Sequence, residues 1–214
     1  MTVLPELRRS AVIVIDMHQG STDPPGTVYG PGAAAIVPTL ATLLERARAA
    51  GAPIFFVIHQ IRPDGSDANS PFWREATTVG DLYPNVEAQV VGSDWTQLAR
   101  GLEPQPGDYV LPKKRYGAFG GNDLAFVLRN LGVETLVLTG VETEICVLAT
   151  AYHAFNEDYR VVVVRDGVAA LDQELGDAAL RSVEREVGWV ASSREVAQAL
   201  EAASGIAAPV AGGG

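Results

Sequence analysis

Cys146 is the only cysteine among 214 residues, and it closes the segment Gly140-Val141-Glu142-Thr143-Glu144-Ile145-Cys146. A strand-like apolar run, Leu136-Val137-Leu138, comes before it, and a helix-like run over 147–155 follows. A thiol between a strand end and a helix start lies where open parallel sheets form their ligand crevice. Helix N-termini favour anions, so the thiolate is expected to gain on the thiol there. The competing role for a lone cysteine is that of a small buried core residue. Two more polar residues follow predicted strands: Asp16 after 11–15, and Lys113 after 108–111. A thiol of pKa about 8.5 is mostly protonated at neutral pH. As a nucleophile it needs a base to take its proton and gains from a nearby cation. Asp16 can be that base and Lys113 that cation. Taken singly, an Asp after a strand caps a turn and an exposed Lys is solvated; the joint arrangement is the more specific signal. Gly140 supplies a flexible turn before the cysteine. The N–H groups of Glu142 and Cys146 can then form an oxyanion hole for the tetrahedral intermediate of acyl transfer.

The elements that must position these residues alternate along the chain. Residues 11–15 form a continuous β-branched run, as in a strand buried on both faces. Residues 33–50 have helical spacing, with Ile36, Leu40, Leu43, Leu44 and Ala47 on one side and Gly51 as the C-terminal cap. A second strand spans 54–58, a third 108–111, a fourth 135–139, a fifth 160–164 and a short sixth 189–191. Helices are expected over 122–130, 144–156, 172–187 and 193–203, the last capped by Ser193. Residues 20–32 and 62–81 read as loops, and the second is long enough for a lid or pocket wall. Residues 86–107 show only short turns. Such alternation implies a single α/β domain over 1–206, a mainly parallel sheet with helices on both faces. The tail at 207–214, all Ala, Gly, Pro and Val, has nothing to pack and is expected to be mobile or held by a neighbouring chain.

Composition narrows the functions. A net charge of −10 argues against a nucleic-acid surface, which needs clustered Lys and Arg. No apolar run approaches the roughly 20 residues of a membrane span. The start of the chain lacks the pattern of a signal peptide, and a single cysteine excludes an intrachain disulfide framework. These features set the expectation of a cytoplasmic protein acting on a small molecule.

The segments Val14-Ile15-Asp16-Met17, Lys113-Lys114-Arg115-Tyr116-Gly117-Ala118-Phe119 and Gly140 to Val147 together resemble the isochorismatase-like cysteine hydrolases. Ala149-Thr150 and the run from Arg160 to Ala169 fit the same pattern, and the resemblance extends over about residues 9–200. It implies a three-layer α/β/α fold with a six-stranded sheet of order 3-2-1-4-5-6. It implies an Asp-Lys-Cys triad, here Asp16, Lys113 and Cys146, with Lys113 rather than Lys114 as the family lysine. It also implies a covalent acyl-enzyme, a cis peptide at Val141–Glu142, and assembly into homodimers or homotetramers.

Departures from the family matter too. Nicotinamidases carry an Asp and His metal cluster after the second strand; this chain has His59-Gln60-Ile61-Arg62-Pro63-Asp64, with no second His. His18 and His153 are distant in sequence, so no metal and no cofactor are expected, and His59 reads as a pocket histidine. True isochorismatases lack the nucleophilic cysteine. His18-Gln19 and Tyr152-His153 also differ from the usual family residues. The expected substrate pocket comprises Trp73, Phe119, Tyr116, Phe72, His59 and Gln19, with Tyr29 beside it. The leading expectation is a metal-independent amidohydrolase cleaving the C–N bond of a small amide, ureido or N-carbamoyl compound. A vinyl ether hydrolase of the isochorismatase type and a non-catalytic binding protein on the same fold are the alternatives.

Overall fold

Every side chain of Ser10–Ile15 is buried, which is what a β-branched run flanked by helices on both sides requires. This strand, β1, lies at the centre of a six-stranded sheet in the computed structural model, which describes residues 3–24, 26, 29–64, 66–67 and 89–204. The others are β2 (Ile54–His59), β3 (Tyr109–Lys113), β4 (Thr135–Val141), β5 (Arg160–Ala169) and β6 (Gly188–Ala191). Their order is β3-β2-β1-β4-β5-β6, and every pairing is parallel. The expected architecture and strand order are therefore present. All carboxyl ends fall on one edge of the sheet.

The helices are α1 (Gln19–Thr22), α2 (Pro31–Ala49), α3 (Leu124–Asn130), α4 (Leu148–Asn156), α5 (Gln173–Glu186) and α6 (Ser193–Ser204), with a π turn at Thr143–Val147 leading into α4. Alternate strand residues feed two cores. Val12, Val14, Val137 and Val162 meet Leu40, Leu43 and Leu44 of α2 and Val196 and Leu200 of α6. Ile13, Ile15, Leu138 and Val163 meet Leu128 of α3, Ala151 of α4 and Val183 of α5. Each such aliphatic side chain contributes about 1.5–3 kcal/mol by leaving water.

Three local readings change. Residues 20–32 are not all loop: α1 forms at Gln19, and α2 begins at Pro31, where a proline suits the first helical turn. β5 runs on to Ala169 instead of ending near Val164. Its register against β4 jumps from Leu138↔Val163 to Gly140↔Val168, so the polar step Arg165-Asp166-Gly167 is passed as an irregularity. The cap of α6 is Ser192, not Ser193: Ser192 and Glu195 exchange hydrogen bonds, with Ser192 N–H donating to Glu195 Oε2 at 2.8 Å. Ser193 Oγ instead donates to Asp166 at 2.7 Å. The tail at 207–214, with its domain boundary, lies outside the described residues. Among those described, no helix is long and apolar enough to cross a membrane.

Candidate active site

β1 ends at Ile15, and Asp16 turns out of the sheet with a left-handed φ of 52°. This conformation is uncommon for a residue with a side chain, and the surroundings over-determine it. The Asp16 carbonyl accepts from His18 N–H at 3.0 Å and from the buried Ser21 hydroxyl at 2.9 Å. Its carboxylate is held just as firmly. Oδ1 accepts the backbone N–H of His59, at the end of β2, at 2.7 Å. Oδ2 lies 2.8 Å from Lys113 Nζ.

Lys113 ends β3, paired in register with His59. Its side chain is 0% exposed. Beyond Asp16, the ammonium donates to the Arg115 carbonyl at 3.0 Å and to Cys146 Sγ at 3.4 Å. Cys146 is buried in the π turn after β4. The fold thus brings the ends of β1, β3 and β4 together at one buried cluster.

Gly140 does more there than supply a turn. Its φ is 100°, and a Cβ on it would stand 2.0 Å from the Ile15 carbonyl oxygen. Only glycine lets β4 pass this close to β1 one residue before Asp16. The Val141–Glu142 peptide bond is cis. The Glu142 carbonyl accepts from Ile145 and Val147, both at 3.1 Å.

Burial opposes ionisation of Asp16, but the Lys113 ammonium, with His59 and His18 beyond it, holds the carboxyl below its usual range. Burial likewise works against the Lys113 charge, and Asp16 and Cys146 more than restore it. Cys146 runs against the sequence-based expectation. Burial and the Asp16 carboxylate push its thiol well above the ordinary range, and Lys113 only partly offsets them. A position at a helix terminus does not outweigh these two costs. These directions favour charge on Asp16 and Lys113 and oppose it on Cys146.

Two imidazoles flank it. Burial and Lys113 hold His59 down to about 4, with Asp16 working in the opposite direction. Burial also lowers His18, which the sequence places far from His59. The parallel pairing of β1 with β2 brings His59, at the end of β2, to Asp16, whereas His18 lies only two residues along the chain from it. Among the described residues, no group of three or more His, Cys, Asp or Glu is placed to hold a metal ion.

The remaining pocket residues spread out. Gln19 lines a cavity of about 900 Å³ with Asp94, Gln97 and Arg100, a lining that excludes Asp16, Lys113 and Cys146. Phe119 stacks on His153 at 4.6 Å and on Tyr159 at 6.1 Å, tying its loop to α4. Tyr116 packs against the same core. Phe72 and Trp73 lie outside the described residues. Sequence reasoning missed Ser21 and gave Thr150 no role of its own; a hydroxyl near a strand end is too common to stand out.

The family model for the Isochorismatase domain matches residues 10–195. A ureidoacrylate amidohydrolase (RutB) of Pseudomonas syringae pv. syringae is 32% identical over 197 residues, covering 86% of this chain and 80% of that one. A maleamate amidohydrolase of Pseudomonas putida is 30% identical over 198 residues, covering 92% and 90%. Among solved structures, a cysteine hydrolase from Pseudomonas syringae pv. phaseolicola superposes with a TM-score of 0.84 at 29% identity, covering 94% of this chain and 97% of that one. With most of its length matched by the family model and by these relatives, the chain belongs to the isochorismatase family.

Proposed function

We propose that this protein is a cysteine amidohydrolase that cleaves the C–N bond of a small amide or ureido compound through an acyl-enzyme on Cys146. The observation that carries the reading is the Lys113 ammonium, 2.8 Å from Asp16 and 3.4 Å from Cys146. The similarity to amidohydrolases named for ureidoacrylate and maleamate supports the choice of bond.

The charge state of the cluster suits this chemistry. Asp16, kept ionised, takes the thiol proton as sulfur attacks the carbonyl carbon, so a thiolate need not persist beforehand. Lys113 offsets the charge that passes between sulfur and carboxylate. At the π turn the Glu142 carbonyl takes the N–H groups of Ile145 and Val147, and the N–H groups of Glu142 and Cys146 receive the developing oxyanion. The leaving nitrogen departs with the proton from Asp16. Water then attacks the thioester, Asp16 again accepting a proton, and carboxylate product and free thiol result. His59, Tyr116, Phe119, Phe72 and Trp73 are assigned to the substrate pocket, while Gln19 bonds to Leu98 and Arg100 beside a cavity apart from the cluster. Assembly into dimers or tetramers and a cytoplasmic location belong to the same proposal; light scattering checks the first.

The test is ammonia release across small amides, ureas and N-carbamoyl compounds, with mass spectrometry of quenched enzyme. The expected result is turnover of at least one compound and an acyl mass on the Cys146 peptide. Full turnover by Cys146→Ala would overturn covalent catalysis.

A further inference from the structure

A closed circuit of hydrogen bonds begins and ends at Cys146. From the sulfur it runs to Lys113 Nζ at 3.4 Å, and from Nζ to the Arg115 carbonyl at 3.0 Å. It follows the backbone to Ala118, whose N–H donates to Thr150 Oγ1 at 3.0 Å. The Thr150 hydroxyl then donates to the Cys146 carbonyl at 2.7 Å. Thr150 is 0% exposed, so nothing from solvent substitutes for these partners. A threonine bonding back four residues is ordinary in a helix. Here the same oxygen also accepts an N–H from a different loop, which joins the nucleophile's helix to the lysine's loop.

That loop has other braces: the Phe119 ring stacks on His153 of α4, and Lys114 Nζ donates to the Gln60 carbonyl at 2.6 Å. Asn122 Nδ2 donates to the carbonyls of Pro112 at 2.9 Å and Ala118 at 2.8 Å, and Lys114 N–H donates to Gly120 at 2.8 Å. These bonds hold the loop's ends to each other. None ties it to Cys146. The Thr150 hydroxyl links this loop by hydrogen bonds directly to the backbone of Cys146, and so helps set where the Arg115 carbonyl stands relative to the sulfur. The flexible four-carbon stem of Lys113 then takes its direction from that carbonyl and from Asp16.

We propose that Thr150 is a positioning residue: its hydroxyl fixes the 115–118 loop on the nucleophile's helix and thereby holds the Lys113 ammonium against the Cys146 sulfur. The proposal deepens the acyl-transfer reading but is read out on the thiol itself, so it stands or falls independently of which amide is hydrolysed.

The test measures the pH dependence of Cys146 alkylation by iodoacetamide, in wild-type protein, Thr150→Val, Thr150→Ser and each change combined with Lys113→Met. Folding is checked by circular dichroism. In Thr150→Val the ammonium loosens from the sulfur, and thiolate at fixed pH falls about tenfold, a pH-profile shift of about one unit. Thr150→Ser keeps the hydroxyl and stays within threefold of wild type. On the Lys113→Met background, Thr150→Val causes no further shift, because the group it positions is gone. Thr150→Ala is read by the same criteria should the valine variant not fold. A profile unchanged by loss of the hydroxyl, or the same shift with and without Lys113, overturns the proposal. Absence of ammonia release from every amide, with these alkylation results intact, would defeat the functional reading alone.

Discussion

Lys113 Nζ and Asp16 Oδ2 stand 2.8 Å apart in a place where the lysine side chain has no solvent exposure. Two charges withdrawn from water depend on each other. Removing one partner of a buried pair is strongly destabilising, because the survivor is left without compensation.

Lys113→Met is therefore expected to cost about 3–5 kcal/mol at neutral pH. The sign with pH follows from Asp16. Its folded pKa is depressed, so in wild type its contribution is present above the unfolded value and is lost as pH falls through the folded one. Without Lys113 burial dominates, the folded pKa of Asp16 rises, and the variant instead gains stability relative to wild type as pH falls. Urea unfolding at pH 4 and pH 7 checks this; an equal deficit at both would refute it.

Asp16→Asn separates acidity from catalysis. The Asp16 carboxylate is among the causes that raise the Cys146 thiol, and asparagine removes it while Lys113 remains. Cys146 of the variant should ionise more readily and react faster with iodoacetamide at pH 7. Turnover should nevertheless fall by at least about a hundredfold, the usual worth of a positioned base. Slower alkylation together with lost turnover would mean that Asp16 activates the thiol in the resting state.

Much of this site was legible because it depends on strand ends. An apolar run followed by one polar residue marks Asp16 directly, and the alternation of elements places Cys146 on the same edge. The positions that sequence missed depend on contacts between segments. Nothing near Asp16 and His18 in sequence announces that β1 and β2 pair side by side and bring His59 to them. The thiol was misjudged for a similar reason: a helix terminus is visible in sequence, whereas burial and a carboxylate from β1 are tertiary facts. Gly140 reads from sequence as a flexible turn, but what demands glycine there is the Ile15 backbone.

Gly140→Ala tests that reason. A Cβ would meet Ile15 O at 2.0 Å and Ile15 N at 2.7 Å, and both are backbone atoms inside a sheet. The φ of 100° adds strain for any side chain. The expected cost is at least about 2 kcal/mol, with disproportionate loss of Cys146 reactivity because β1 and β4 must separate beside the cluster. Thermal unfolding and alkylation measured together check this. A melting temperature within a degree of wild type would contradict the close approach.

Glu142 provides the last prediction. Burial, then Glu144 and Asp16, hold its carboxyl well above the usual 4.5. It therefore carries its proton in the folded state at pH values where the unfolded chain has lost it. A raised folded pKa gives stability that is complete below the unfolded value and is lost as pH rises through the folded one. Glu142→Gln stays neutral at every pH and makes no such loss. The melting temperature of the variant relative to wild type should accordingly climb from pH 4 to pH 8. The direction is opposite to that expected for Asp16, although both carboxyls lie at the same sheet edge. Lys113 stands beside one of them, whereas the charged neighbours raising the other are acidic. A difference that stays flat across the range would show that Glu142 titrates as an ordinary surface acid.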